Sequence, residues 1–168
     1  MTTTMPTTMI SSAMTTKLPI RHQWSSESRS SQVTPFVVGN AQHVEFVEPM
    51  PGFPEDRSFA LAAVDPQGVL FTLRSLVRPE LRFVVMPPAG FFPDYQPDIT
   101  ENHVAPLGPV TDIELQVLVI VSVKDGIADA TANLLAPIIM IPESGRAMQV
   151  ILDDTRLPLR APLSALAS

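Results

Sequence analysis

Apolar residues in this chain come in runs too short to make a helix face, and turn-forming residues separate the runs. From Pro35 onward the sequence reads FVV (36–38), VEFV (44–47), FALAAV (59–64), VLFTL (69–73), LRFVVM (81–86), LQVLVIVSV (115–123), NLLAPIIMI (133–141) and MQVIL (148–152). Each run is strand-length and most are rich in β-branched or aromatic side chains. Between them lie EPMPGFPED (48–56), DPQG (65–68), KDG (124–126) and PESG (142–145), which are turn signals. Proline occupies 18 positions, and a residue with no amide hydrogen does not sit inside long helices. The expected fold is all-β: a compact barrel-like arrangement of short antiparallel strands over residues 34–168. A turn is expected near Pro54–Arg57. One or two short helices are expected between Pro97 and Leu115, where DITENH and PVTDIEL open on capping residues.

Within that frame the run 115–123 stands out. Leu115, Val117, Val119, Val121 and Val123 fill one face while Leu118 and Ile120 fill the other, so this strand is expected at the centre, buried on both sides. Pro137 interrupts the run 133–141, which places that strand on an edge or gives it a bulge. Residues 1–33 are dominated by Thr, Ser and Met and have no apolar period. Burial there would not offset the entropy of ordering, so they read as a disordered tail in which Trp24 is the one large apolar side chain.

Charge and composition exclude several functions. The net charge is −6; residues 1–35 carry +2, which leaves −8 on residues 36–168. An acidic body repels phosphate backbones, so direct nucleic-acid binding is not expected and a basic partner is favoured. There is no cysteine, hence no disulfide, no thiolate nucleophile and no cysteine-bearing zinc site, which fits a cytoplasmic protein. The N-terminus has neither the basic start nor the apolar centre of a secretory signal, and no run reaches the length that spans a bilayer.

Catalytic residues are scarce. The histidines are His22, His43 and His103, and none forms a recognisable dyad with a serine. Asp98, Glu101 and His103 lie near one another at irregular spacing, which a solvated face explains as well as a metal site does. Phosphate-cradling glycine motifs and the nucleophile elbow are missing, and no cofactor is expected. What remains is the stretch AGFFPDYQPD (89–98), which holds Phe91, Phe92 and Tyr95 among prolines and acids. Tyr95 combines an apolar ring with a hydroxyl that needs a partner, a combination favoured at interfaces.

Four segments, in order, resemble the FliW family of flagellar assembly factors: MPGFPEDRSFAL (50–61), LFTLRSLVRPELRFVVMPPAGFFPDYQPDI (70–99), TANLLAPIIM (131–140) and QVILDDTRLPLRAPL (149–163). The resemblance spans roughly residues 43–163. It implies a β-barrel-like protein without catalytic activity that binds flagellin. When free of flagellin, such a protein binds the translational regulator CsrA as an allosteric antagonist, tying flagellin translation to secretion. Arg78 stands where the family often carries an acid or asparagine. Within the matching strings the expected partner-binding residues are Arg78 and Glu80 by charge, Phe91, Phe92, Asp94 and Tyr95 as a rim, and Asn133 beside the Pro137 edge. Asp153, Asp154, Arg156 and Arg160 are expected to lock the C-terminal segment to the barrel. Two other readings stay open: a barrel that encloses a small molecule, and a metal hydrolase built on Asp98, Glu101 and His103.

Overall fold

The structure, a computed structural model, describes Leu18, Ile20–Arg21 and residues 41–110 and 112–163. Among the described residues ten strands form in chain order: β1 (Ile20–Arg21), β2 (Gln42–Phe46), β3 (Ser58–Ala63), β4 (Phe71–Ser75), β5 (Arg82–Met86), β6 (Leu115–Ser122), β7 (Thr131–Ala132), β8 (Ile138–Met140), β9 (Arg146–Gln149) and β10 (Ala161–Pro162). Hydrogen bonding runs β6-β5-β4-β3-β2-β9-β8, and β8 pairs back onto β6, closing the ring. The result is the expected all-β barrel. Closure removes the open edges that make isolated sheets sticky. Beyond the ring, β7 continues the β8 side of β6 and carries β10, while β1 runs parallel to the start of β6.

Turn chemistry explains the hairpins. In the β3–β4 hairpin the Asp65 carboxylate accepts the Val69 and Leu70 amides while Gly68 takes φ +67°. The β8–β9 turn ends on Gly145 at φ +73°, where a Cβ would lie 2.2 Å from the His43 carbonyl oxygen. Only glycine lets that turn press against β2. Its carbonyl there accepts the Glu45 amide at 2.9 Å, at the seam where the barrel closes.

Two apolar layers result from strict alternation. Phe46, Phe59, Leu61, Phe71, Leu73, Val85, Leu118, Ile138 and Met140 fill the lumen. Met86, Val117, Val119, Ile139, Met148 and Val150 face outward, under a coat built from residues 87–110 and 112–114 and the segments around β7 and β10. β6 contributes to both layers in turn, which is why it reads as apolar on both faces. At about 25 cal/mol per Å² of apolar surface, each fully buried Leu, Ile or Phe contributes roughly 1.5–3 kcal/mol, so the coat is part of the core and not an appendage. The outward side chains of β2, β3 and β4 differ in kind. His43, Glu45, Ala60, Ala62, Thr72 and Arg74 are small, polar or charged, and none belongs to the outer apolar layer.

Four expectations are corrected here. Pro137 lies neither on an edge nor in a bulge: it immediately precedes β8, which is paired on both sides, and its carbonyl accepts the Val150 amide at 2.9 Å. The run 133–141 splits into a turn plus the three residues of β8. The described residues of the stretch 97–115 form no α-helix, only the 3₁₀ turn Ala105–Leu107, because the prolines leave too few consecutive amides. Finally, the expected tail contains an ordered contact. Leu18 is buried and its amide donates to the Ile99 carbonyl at 3.1 Å, and β1 pairs with Leu115 and Gln116. The remainder of residues 1–33, including Trp24, and the run 36–38 lie outside the described residues.

Candidate functional site

The residues singled out in the sequence fall into two separate places. Arg78 and Glu80 sit in the β4–β5 turn, and the others belong to the coat.

In the turn, the Asp56 carboxylate is fully buried and one of its oxygens, Oδ2, accepts two Arg78 guanidinium donors, Nε at 2.8 Å and Nη2. The Ser75 hydroxyl donates to the other carboxylate oxygen and accepts the amides of Val77 and Arg78 at 3.2 and 3.0 Å. Hydrogen bonds from Arg78 and then Ser75 hold the Asp56 carboxyl below the usual carboxylate range, and the same contact raises Arg78. Arg78 is therefore paired within the chain while its side chain stays 42% exposed. Its charge is answered by Asp56. Glu80 is exposed. The network fixes the conformation of a turn whose Leu76 and Val77 side chains are 53% and 62% exposed.

In the coat, Pro88–Gly90 forms a 3₁₀ turn whose Pro88 carbonyl accepts the amides of Phe91 and Phe92. Phe91 and Phe92 are half-buried against the outer apolar layer, and Asp94 is exposed. Tyr95 is not a rim residue. It is 6% exposed, and its hydroxyl donates to the Leu134 carbonyl at 2.8 Å. Burial pushes its phenol well above the ordinary value, so it stays neutral and acts as a donor. Asn133 does not face outward from an edge either. Its side-chain oxygen accepts the amides of Leu135 and Ala136 at 3.1 and 3.0 Å, an Asx-type turn that aims the Leu134 carbonyl at Tyr95.

The string Leu-Asp-Asp-x-Arg-x-Pro-Leu-Arg closes over the same place. Leu152 donates to Leu135 and accommodates its own side chain in the layer, and the Pro158 carbonyl accepts the Leu134 amide at 3.0 Å. Asp154 pairs with Arg156 at 2.9 Å on the surface, and the Arg156 hydrogen bonds hold its carboxyl below the usual range. That pair shapes a local turn and does not bridge to the barrel. Asp153 and Arg160 are exposed. The locking is done by backbone amides and carbonyls, which composition does not reveal.

For the metal-hydrolase reading, the Nδ1 of His103 accepts the Thr100 amide at 3.2 Å, and among the described residues no three His, Asp or Glu come together to hold an ion. For the enclosed-ligand reading, aromatic and aliphatic side chains occupy the lumen. Sequence reasoning missed Asp56, whose signal as one acid in a turn is indistinguishable from its neighbours. It also missed the opposed pair Arg74 and Arg82, both exposed and directly paired across β4 and β5. Strand alternation shows each arginine pointing outward, but only the register shows that they meet.

Comparison with known proteins gives a consistent result. The family model described as FliW protein matches residues 28–163. The flagellar assembly factor FliW of Syntrophotalea carbinolica is 37% identical over 124 residues, 73% of this chain and 86% of that protein. The same-named protein of Symbiobacterium thermophilum is 36% identical over 71% of this chain and 87% of its own. A crystal structure of the flagellar assembly factor FliW superposes with a TM-score of 0.66 at 31% identity, covering 72% of this chain and 84% of that one.

Proposed function

This chain belongs to the FliW family of flagellar assembly factors, and from that premise we propose that it works by binding two proteins in alternation, flagellin and the translational regulator CsrA. Bound to flagellin it is occupied. Freed by flagellin export, it binds CsrA away from the RNA-binding surface and relieves repression of flagellin synthesis in the cytoplasm. The observation that carries this reading is family membership joined to a barrel whose lumen is filled by its own side chains, so that action falls to the surface. A closed, side-chain-filled barrel is rigid, which lowers the ordering cost of docking.

The −8 carried by residues 36–168 supports the CsrA arm. Acidic surface accelerates encounter with a basic RNA-binding protein more than it deepens final affinity, and salt screens it. Purified chain mixed with flagellin, with CsrA, and with both in competition tests the proposal. The expected result is a complex with each alone and displacement of CsrA by flagellin, with slower CsrA association as salt rises. Failure to retain either protein at micromolar concentration would falsify the reading.

A further inference from the structure

We propose that the outer face of β4–β6, at the end where the β4–β5 turn emerges, is a docking surface for a partner segment that carries paired carboxylates beside apolar side chains. The inference deepens the protein-binding reading above and rests on it.

The first observation is electrostatic. Arg74 and Arg82 lie directly opposite each other on adjacent antiparallel strands, and both are exposed. Like charges in that position are destabilising. Among the described residues neither arginine has a carboxylate partner, although the body of the protein has acids in excess. On a net-acidic chain this row has the opposite sign, and a guanidinium pair is suited to bidentate recognition of carboxylates.

The second observation is apolar exposure on the same face. Alternation along β4 places Leu76, 53% exposed, on the outward side with Arg74. The β5–β6 register pairs Val84 with Val121, and carried two residues further it sets Val123, 51% exposed, beside Arg82. Ile127, 88% exposed, stands on the loop that leaves β6 at this end. Aliphatic side chains interleaved with arginines suit a protein segment better than a phosphate backbone, which would leave the aliphatics unpaired.

The third is preorganisation. The Asp56–Arg78 pair, with its carboxylate buried and its arginine side chain 42% exposed, and the Ser75 hydroxyl fix the turn that carries Leu76. These hydrogen bonds hold an exposed apolar turn in one shape, which lowers the ordering cost of docking.

The test uses the full chain with the double substitution Arg74→Glu and Arg82→Glu, and separately Leu76→Ser with Ile127→Ser. Purified flagellin and CsrA serve as the two probes, with transfer RNA as a third, and melting curves are recorded in parallel. The expected result is loss of affinity of about tenfold or more for at least one protein probe in each variant, with the melting temperature held. Affinities of both variants equal to wild type for both proteins would overturn the docking surface while leaving the functional reading intact. Wild-type chain that binds neither protein would remove the reading and the inference with it. Transfer RNA that binds the wild type and is lost in the Glu variant would overturn the choice of a protein segment.

Discussion

The two halves of the barrel's outer face are built for different ends. Over β6, β8 and β9, outward Val, Ile and Met side chains are sealed beneath a coat in which Tyr95, Asn133 and the segment Leu152–Leu157 interlock. Over β2, β3 and β4 the outward residues are small, polar or charged, and one arginine pair is left facing itself across to β5. The strings that resemble the family lie on both halves: 50–61 and 70–86 run through β3, β4 and β5, and the remainder lie chiefly in the coat, where their residues hold the fold. The surface with unanswered charge lies on the other half.

This contrast breaks if substitutions in the coat change partner affinity without changing stability. The largest effect belongs to the support under the uncoated half. Asp56→Leu leaves the Arg78 guanidinium and the Ser75 hydroxyl without their acceptor, and a fall in melting temperature on the order of 10 °C is expected by differential scanning calorimetry. Tyr95→Phe comes next. It leaves the Leu134 carbonyl buried without a donor at a cost of about 1–3 kcal/mol in urea unfolding, while partner affinity of the folded fraction is unchanged. Asn133→Ala, which frees two turn amides, costs about 1 kcal/mol by the same measurement. Arg156→Ala removes an exposed pair and leaves the melting temperature within about 2 °C.

Acid sharpens the same comparison. The Asp56 carboxyl is depressed in the folded state by Arg78 and Ser75, so its contribution is fully present above the ordinary carboxylate pKa and is lost as the pH falls through the lower folded value. The wild-type advantage over Asp56→Asn is therefore expected to be constant from neutrality down to about pH 4 and to narrow below it. An advantage that vanished already near pH 6 would assign the stabilisation to another group.

Much of the barrel was legible because strand alternation is a direct consequence of the pleat. Phe59-Ala-Leu61 and Phe71-Thr-Leu73 announce a lumen face, and the doubly apolar 115–122 announces a strand between two layers. The coat was not legible, because residues 87–110 and 112–114 bury apolar side chains from irregular backbone and so leave no period to read. For the same reason Tyr95 and Asn133 read as surface when they are locks. Their partners are backbone carbonyls and amides, which every residue carries. Pro137 misled for a simpler reason: a proline just ahead of a central strand and a proline on an edge strand look alike in one dimension. Arg74 and Arg82 are eight positions apart, and their opposition exists only once β4 and β5 are in register.

The most direct test is a methyl-resolved NMR titration of the isotope-labelled chain with unlabelled flagellin and, separately, CsrA. Shifts concentrated at Leu76, Val123 and Ile127, with Leu134 and Leu152 in the coat unmoved, are what this account predicts. Perturbation confined to the coat methyls, with those three residues silent for both proteins, would contradict it.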